Sequence, residues 1–344
     1  CGVGYEIMRM WLVIMFIFFE TLDVFICSKG LEIEREGGSK DICVRYGAKI
    51  PVDEIYFESG GGGTNSAVTF ARQGLKVASV VKLAPDFAGK KIKEDLAKEG
   101  VATDFCVPDE KGNTDYSTIL WAPDGGRTIL IYRGETKLEE TEIPWEKLET
   151  KWFYVSSVEG NLKIVERLLV PPHSLGSAQG QAPKVAWNPG GGELKQKEKV
   201  AAILPGITLL NINKEEMEEL LGGEGEEWEM KELLSKAGEL PCRFVVITDD
   251  RNGSYLHQKG DSFWWHCGIF DDVPRVETTG AGDSFGSGLV AGIIKEFSLS
   301  DCLKIASANA TSVVSQVGAK KGIIKAADIN NWLNKEILME RLEL

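Results

Sequence analysis

Three short stretches hold residue types that can do chemistry together. The first is Glu277-Thr278-Thr279-Gly280-Ala281-Gly282-Asp283-Ser284-Phe285. Two glycines and an alanine let consecutive backbone N–H groups converge on one point, and a helical pattern follows. Unpaired amides at a helix start, with the positive end of the helix dipole, make an anion hole. Asp283 falls in the first turn beside it. A carboxylate there can accept the proton of an attacking hydroxyl while the amides of Gly280, Ala281 and Gly282 stabilise charge on a transferring phosphoryl group. The same residues also read as an ordinary glycine turn with Asp283 as a helix cap.

The second stretch is Gly60-Gly61-Gly62-Gly63-Thr64-Asn65-Ser66-Ala67. Successive glycines expose backbone donors, and the Asn65 amide offers a donor and an acceptor, the paired contacts a polyhydroxylated ligand needs. A flexible turn with Asn65 as the N-cap is the plainer reading. The third stretch, Asn213-Lys214-Glu215-Glu216, is a capping-box start. Its Asn213 and Glu216 can also organise water and Mg²⁺ near phosphates, because Mg²⁺ prefers oxygen ligands and keeps its waters.

The elements that must position these stretches alternate. Apolar β-rich runs at 77–83, 152–157, 184–188, 207–211 and 243–248 are interleaved with helical patterns at 65–73, 88–99, 214–221 and 284–297. That rhythm implies crossover units and a mainly parallel sheet. The apolar run at 10–19 has the look of a signal-peptide core, but it is too short to span a bilayer, so a buried strand is expected there. Two regions break the rhythm: 42–58, and 116–132 with a hairpin turn at Pro123-Asp124-Gly125-Gly126. They read as β-ribbons in a small separate layer. The stretches 171–183 and 222–228 look like surface connections. The helix after Asp283 carries Phe285, Leu289 and Ile293 on one face. It also carries Gly286, Gly288 and Gly292, each costing about 1 kcal/mol against Ala, so something must approach it closely.

Composition narrows the function. The 344 residues are 43% apolar and 26% charged, with a net charge of −13. The balance is that of a globular protein with a sizeable core, and the charge repels polyanions, which excludes a general nucleic-acid binder. Seven scattered cysteines and three histidines give no metal-ligand spacing, so a structural zinc site is not expected and a reduced, cytoplasmic setting is. No G-x-x-x-x-G-K-[ST] phosphate loop and no protein-kinase catalytic loop are present.

Together, the motifs resemble the ribokinase-like (pfkB-type) carbohydrate kinases. The family's G-G-x-G-x-N-x-A segment is matched from Gly60 to Ala67, and its D-T-x-G-A-G-D segment from Glu277 to Asp283. The resemblance runs from about Asp23 to about Ile329. It implies a Rossmann-like three-layer α/β/α fold with a small β-sheet lid: 10–41, 59–114 and 134–335 as the large body, and 42–58 and 115–133 as the lid. It implies an ATP-dependent sugar kinase using Mg²⁺, with K⁺ as a further cofactor; a nucleoside kinase and an impaired sugar- or nucleotide-binding protein are the alternatives. By the same resemblance Asp283 is the base and Gly280, Ala281 and Gly282 the anion hole. Asp23, Gly61, Gly62, Asn65 and Glu159 would contact the sugar. Asn213, Thr248, Asp249, Arg251, Gly253 and Asn309 would lie by the nucleotide. Glu216 would act on Mg²⁺ indirectly, and Glu277 with Thr279 would hold a monovalent cation. Unpaired lid strands point to a homodimer through the lid. The chain departs from the family at Phe18, at Ala84-Pro85 and at Asp250, where glycines or acids are usual, and Glu277 replaces an Asp.

Overall fold

The computed structural model describes residues 14–17, 20–36, 39–122, 126–134, 136–169, 182–222, 225 and 228–344. Phe18, the turn residues 123–125 and most of the stretch 171–183 lie outside the described residues, as do several residues of 222–228. Among the described residues no helix is long and apolar enough to cross a membrane.

The main sheet has nine strands. In spatial order they are Met339–Glu343, Phe263–Cys267, Ser254–Gln258, Phe244–Thr248, Leu209–Asn213, Lys184–Trp187, Trp152–Val155, Ile14–Ile17 and Val77–Val80. From Phe244–Thr248 to Val77–Val80 every pairing is parallel. The three pairings at the other end are antiparallel. Within the apolar run at 10–19, Ile14–Ile17 forms an interior strand, fully buried on both faces as a parallel strand between helical layers must be. Phe16 stacks on Tyr154 with ring centroids 5.0 Å apart and tilts against Phe70 at the same distance. That cluster ties the sheet to helix Gly62–Arg72.

A second sheet of four strands sits apart, in the order Arg127–Tyr132, Asp115–Trp121, Thr21–Cys27 and Glu54–Gly60. Here the expectation needs correction. Thr21–Cys27 was assigned with 10–41 to the large body, yet it is an inner strand of the small sheet, antiparallel to Glu54–Gly60 and parallel to Asp115–Trp121. The chain passes directly from the large sheet into the small one after Ile17. The ribbon expected at 42–58 is also different: residues 44–53 carry no strand, and Ile42 belongs to a two-stranded ribbon of Glu32–Glu36 with Ser39–Cys43.

Helix Ala281–Ile294 begins three residues before the apolar periodicity does, as does Gly62–Arg72. Glycine propensity argues against helix at both starts, but the first turn is where glycine costs least and frees amides. The three later glycines are explained by packing. A Cβ at Gly288 would lie 3.3 Å from the Ala306 backbone, and one at Gly292 would lie 2.9 Å from Cys302 Sγ. Helix Leu299–Val314 therefore lies almost backbone to backbone against Ala281–Ile294. At Gly286 the neighbours are Asn211 Nδ2 at 2.6 Å and Tyr154 Oη at 2.7 Å, both beneath the sheet's carboxyl ends.

Candidate active site

The loop before helix Ala281–Ile294 is pinned from behind. The Val276 and Glu277 amides both donate to the Val314 carbonyl, at 2.7 and 3.1 Å. Gly280 has a φ of 78°, the left-handed region, and a Cβ there would lie 2.6 Å from Ala319 Cβ. Glycine is therefore required twice over, by conformation and by space. The Ala281 amide is partly committed, donating to the Thr278 carbonyl at 3.3 Å. The Gly282 and Asp283 amides have no partner among the described residues, and nothing lies within 4 Å of a Cβ built on Gly282. Two donors at a helix start are thus left unpaired among the described residues, an arrangement that suits an anion.

Asp283 lies in the first turn, half-buried. Asn65 Nδ2 donates to its Oδ2 at 3.0 Å, joining residues 218 apart in sequence. A Cβ on Gly62 would come within 2.7 Å of Oδ1, so glycine at this position lets the carboxylate approach. Burial pushes the Asp283 carboxyl up, while the Asn65 hydrogen bond and the Lys320 charge oppose the rise. Asp23, on the small sheet, is buried too and is pushed up to about 6, mainly by burial, with the Lys320 charge and the Ser117 hydroxyl opposing. Gly60 leaves no room for a side chain beside it.

Two participants carried no sequence signal. Lys320 stands in an unremarkable Lys-Lys pair, yet its Nζ donates to Thr64 Oγ1 at 3.0 Å. Its charge acts on Glu20, Asp23 and Asp283, and burial pulls its own ammonium down. Glu20 is 4% exposed, both its oxygens lack a hydrogen-bond partner, and burial pushes its carboxyl well above the usual range.

On the far side of the anion loop is a pocket of ≈ 140 Å³. Its lining combines apolar side chains, Ile269, Phe270, Val273, Ala310 and Val314, with Thr248, Gly253 and the loop residues Ala281 and Gly282. Apolar walls together with free amides suit a ligand with a base and phosphates.

The profile of the pfkB family carbohydrate kinases matches residues 30–326. This chain belongs to the pfkB family. A ribokinase of Haemophilus influenzae is 26% identical over 280 residues, covering 77% of this chain and 83% of that protein. A cytidine kinase of Thermococcus kodakarensis is 25% identical over 289 residues, covering 78% and 95%. Among solved structures, Arabidopsis thaliana ribokinase complexed with ribose and ATP superposes with a TM-score of 0.74 at 20% identity, covering 95% of this chain and 100% of that one. The fold is ribokinase-like, and the family's reaction is phosphoryl transfer to an alcohol.

Against the pfkB pattern, the remaining expected residues divide. Thr248 and Gly253 line the pocket; Asp249 and Arg251 do not. Asp249 instead accepts from Asn252 Nδ2 at 3.0 Å. Asn309 needs correction as a nucleotide contact. It is fully buried, donating to the Ser284 carbonyl at 2.8 Å and to Thr69 Oγ1 at 3.3 Å, and accepting from the Ile324 amide at 3.0 Å. Both its N–H donors are spent on the two helices that carry the site, and its oxygen holds the Ile324 amide. Asn213 and Glu216 form a reciprocal capping box, with bonds of 2.8 and 3.1 Å. Burial pushes the Glu216 carboxyl up, and the Asp283 charge adds to the rise. Glu159, with a φ of 52°, lines a separate cavity of ≈ 260 Å³ with Glu20 and Lys82. Its carboxyl is pushed up by burial and by Asp115, with Arg133 and Lys137 opposing.

No cluster of three His, Cys, Asp or Glu side chains suited to a metal ion occurs among the described residues. Glu277 is buried, with Oε2 accepting from the Gly318 amide at 2.8 Å. Its Oε1 and Thr279 Oγ1 have no hydrogen-bond partner. Arg127, from the small sheet, stands 3.5 Å from that same Oε1.

Proposed function

We propose that this protein is an ATP-dependent sugar kinase in which Asp283 takes the proton of the acceptor hydroxyl. The observation that carries this reading is the Asn65–Asp283 hydrogen bond beside the unpartnered Gly282 and Asp283 amides. The Asn65 amide holds the carboxylate by one oxygen, leaving the other to meet the alcohol. As the O–H bond breaks, the acceptor oxygen bonds the γ-phosphorus and the bond to ADP's oxygen breaks. The free amides and helix dipole take up charge on the transferring group. A base with its affinity for protons raised by burial is better matched to this work than an exposed aspartate. Mg²⁺ would arrive with the nucleotide, and the Glu216 carboxylate is the group available to hold its waters. Asp23, Gly61 and Gly62 complete the acceptor side in this reading. Glu277 Oε1 and Thr279 Oγ1 are the ligands offered to a monovalent cation.

A nucleoside acceptor would need stacking surface next to Asp23. Trp121 instead lines a shallow pocket with Cys27, Ser28 and Asp53, and Tyr132 is exposed, which favours a sugar. ADP release measured with ribose, fructose, 2-keto-3-deoxygluconate and adenosine tests the assignment. Turnover with a sugar above adenosine supports it; adenosine preferred over every sugar, or no ADP released with any of them, overturns it.

A further inference from the structure

The nucleotide pocket holds an ion pair that neither the fold nor the proposed chemistry explains. Arg275 lines the pocket, and its Nη2 donates to Asp250 Oδ1 at 3.0 Å. Asp250 has a φ of 37°, one of three non-glycine residues with positive φ among those described. Glycine would take that conformation freely, whereas an L side chain there stores strain that the surroundings must hold. The Asp250 side chain is 73% exposed and packs against little, so burial does not account for its presence. What it does is fix one edge of the Arg275 guanidinium. Arginine carries five N–H donors, and the contact with Asp250 uses one, so others remain for an anion in the pocket.

We infer that Arg275 binds the polyphosphate of the nucleotide and that Asp250 is the residue that positions it. The guanidinium and the Gly282 amide line the same pocket, so phosphate oxygens would be met from two sides. The Asp250 carboxylate would repel a polyphosphate if it stood alone; paired with Arg275 it is neutralised and serves as a brace. This inference rests on the kinase reading only in placing the nucleotide in this pocket.

Calorimetric titration of ADP and of adenosine into the full-length protein separates the possibilities. With Arg275→Ala the ADP dissociation constant should rise about tenfold or more, the loss expected for one charge-assisted hydrogen-bonded contact, with adenosine binding unchanged. Arg275→Lys should recover part of it. Asp250→Gly should melt no lower than wild type, because it relieves the positive φ, yet weaken ADP. In the Arg275→Ala background it should add nothing, since a brace without its arginine has no role. Unchanged ADP affinity in Arg275→Ala, or tighter ADP binding in Asp250→Gly, overturns the inference while leaving the kinase reading intact. A wild-type protein that binds neither ADP nor ATP overturns both.

Discussion

Replacing Asp23 with Asn should make the folded protein more stable at neutral pH and hardly change it in acid. The Asp23 carboxyl is raised from 3.8 to about 6 in the folded protein. Below pH ~4 the folded and unfolded chains both hold its proton. Between the two values the unfolded chain releases the proton first, so stability falls as pH rises, and above about 6 the loss is complete. At about 1.4 kcal/mol per tenfold change in proton affinity, the penalty at pH 7 is roughly 3 kcal/mol. Because Asp23 is only 7% exposed, solvent screening removes little of it. Asn is nearly isosteric and does not titrate. Urea midpoints for wild type and Asp23→Asn at pH 4 to 8 should therefore diverge as pH rises, with the variant the more stable. Other raised carboxyls add to the slope of both proteins and cancel in the difference. Parallel curves, or a variant that loses ground to wild type as pH rises, would refute the argument that burial dominates at this residue. The same variant should bind acceptor worse, since a strained polar site trades stability for function.

Gly62→Ala should lower turnover by about 100-fold with ADP affinity kept, because its Cβ would push the Asp283 carboxylate from its place; steady-state kinetics and calorimetry read the two effects. Lys320→Met removes the positive charge that opposes the rise at Asp283 and Asp23. The acid limb of the kcat/KM profile should then move to higher pH, and an unmoved limb would contradict the role given to that lysine. The small sheet exposes Ile129, Leu130, Ile131 and Tyr132 on one edge strand, Arg127–Tyr132, and Ile55 on the opposite edge strand. A homodimer through it is expected by light scattering at micromolar concentration, and Leu130→Asp should convert it to monomer.

The glycine turn that opens helix Ala281–Ile294 was legible in the sequence because its pattern is local: two glycines, an alanine and an acid in one turn. The alternating strands and helices were legible for the same reason. What the sequence concealed is what distance brings together. Glu20 looked like the end of an apolar run, and Lys320 like a surface pair, because neither shows its burial until the chain between residues 17 and 21 crosses from one sheet to the other. Thr21–Cys27 was assigned to the wrong layer because an apolar segment reads alike in the core of a parallel sheet and in the middle of a small mixed one. Asn309 misled in the opposite direction: its position suits a nucleotide contact, but the buried amide has both N–H donors taken, by the Ser284 carbonyl and the Thr69 hydroxyl.

The most direct measurement is the turnover of Asp283→Asn beside its affinity for ADP. Asn keeps the size of the side chain and removes only its ability to take a proton. The account predicts that kcat drops by about 1,000-fold, within the range for losing a general base, while ADP binds as it does to wild type. Phosphoryl transfer at an undiminished rate would contradict it.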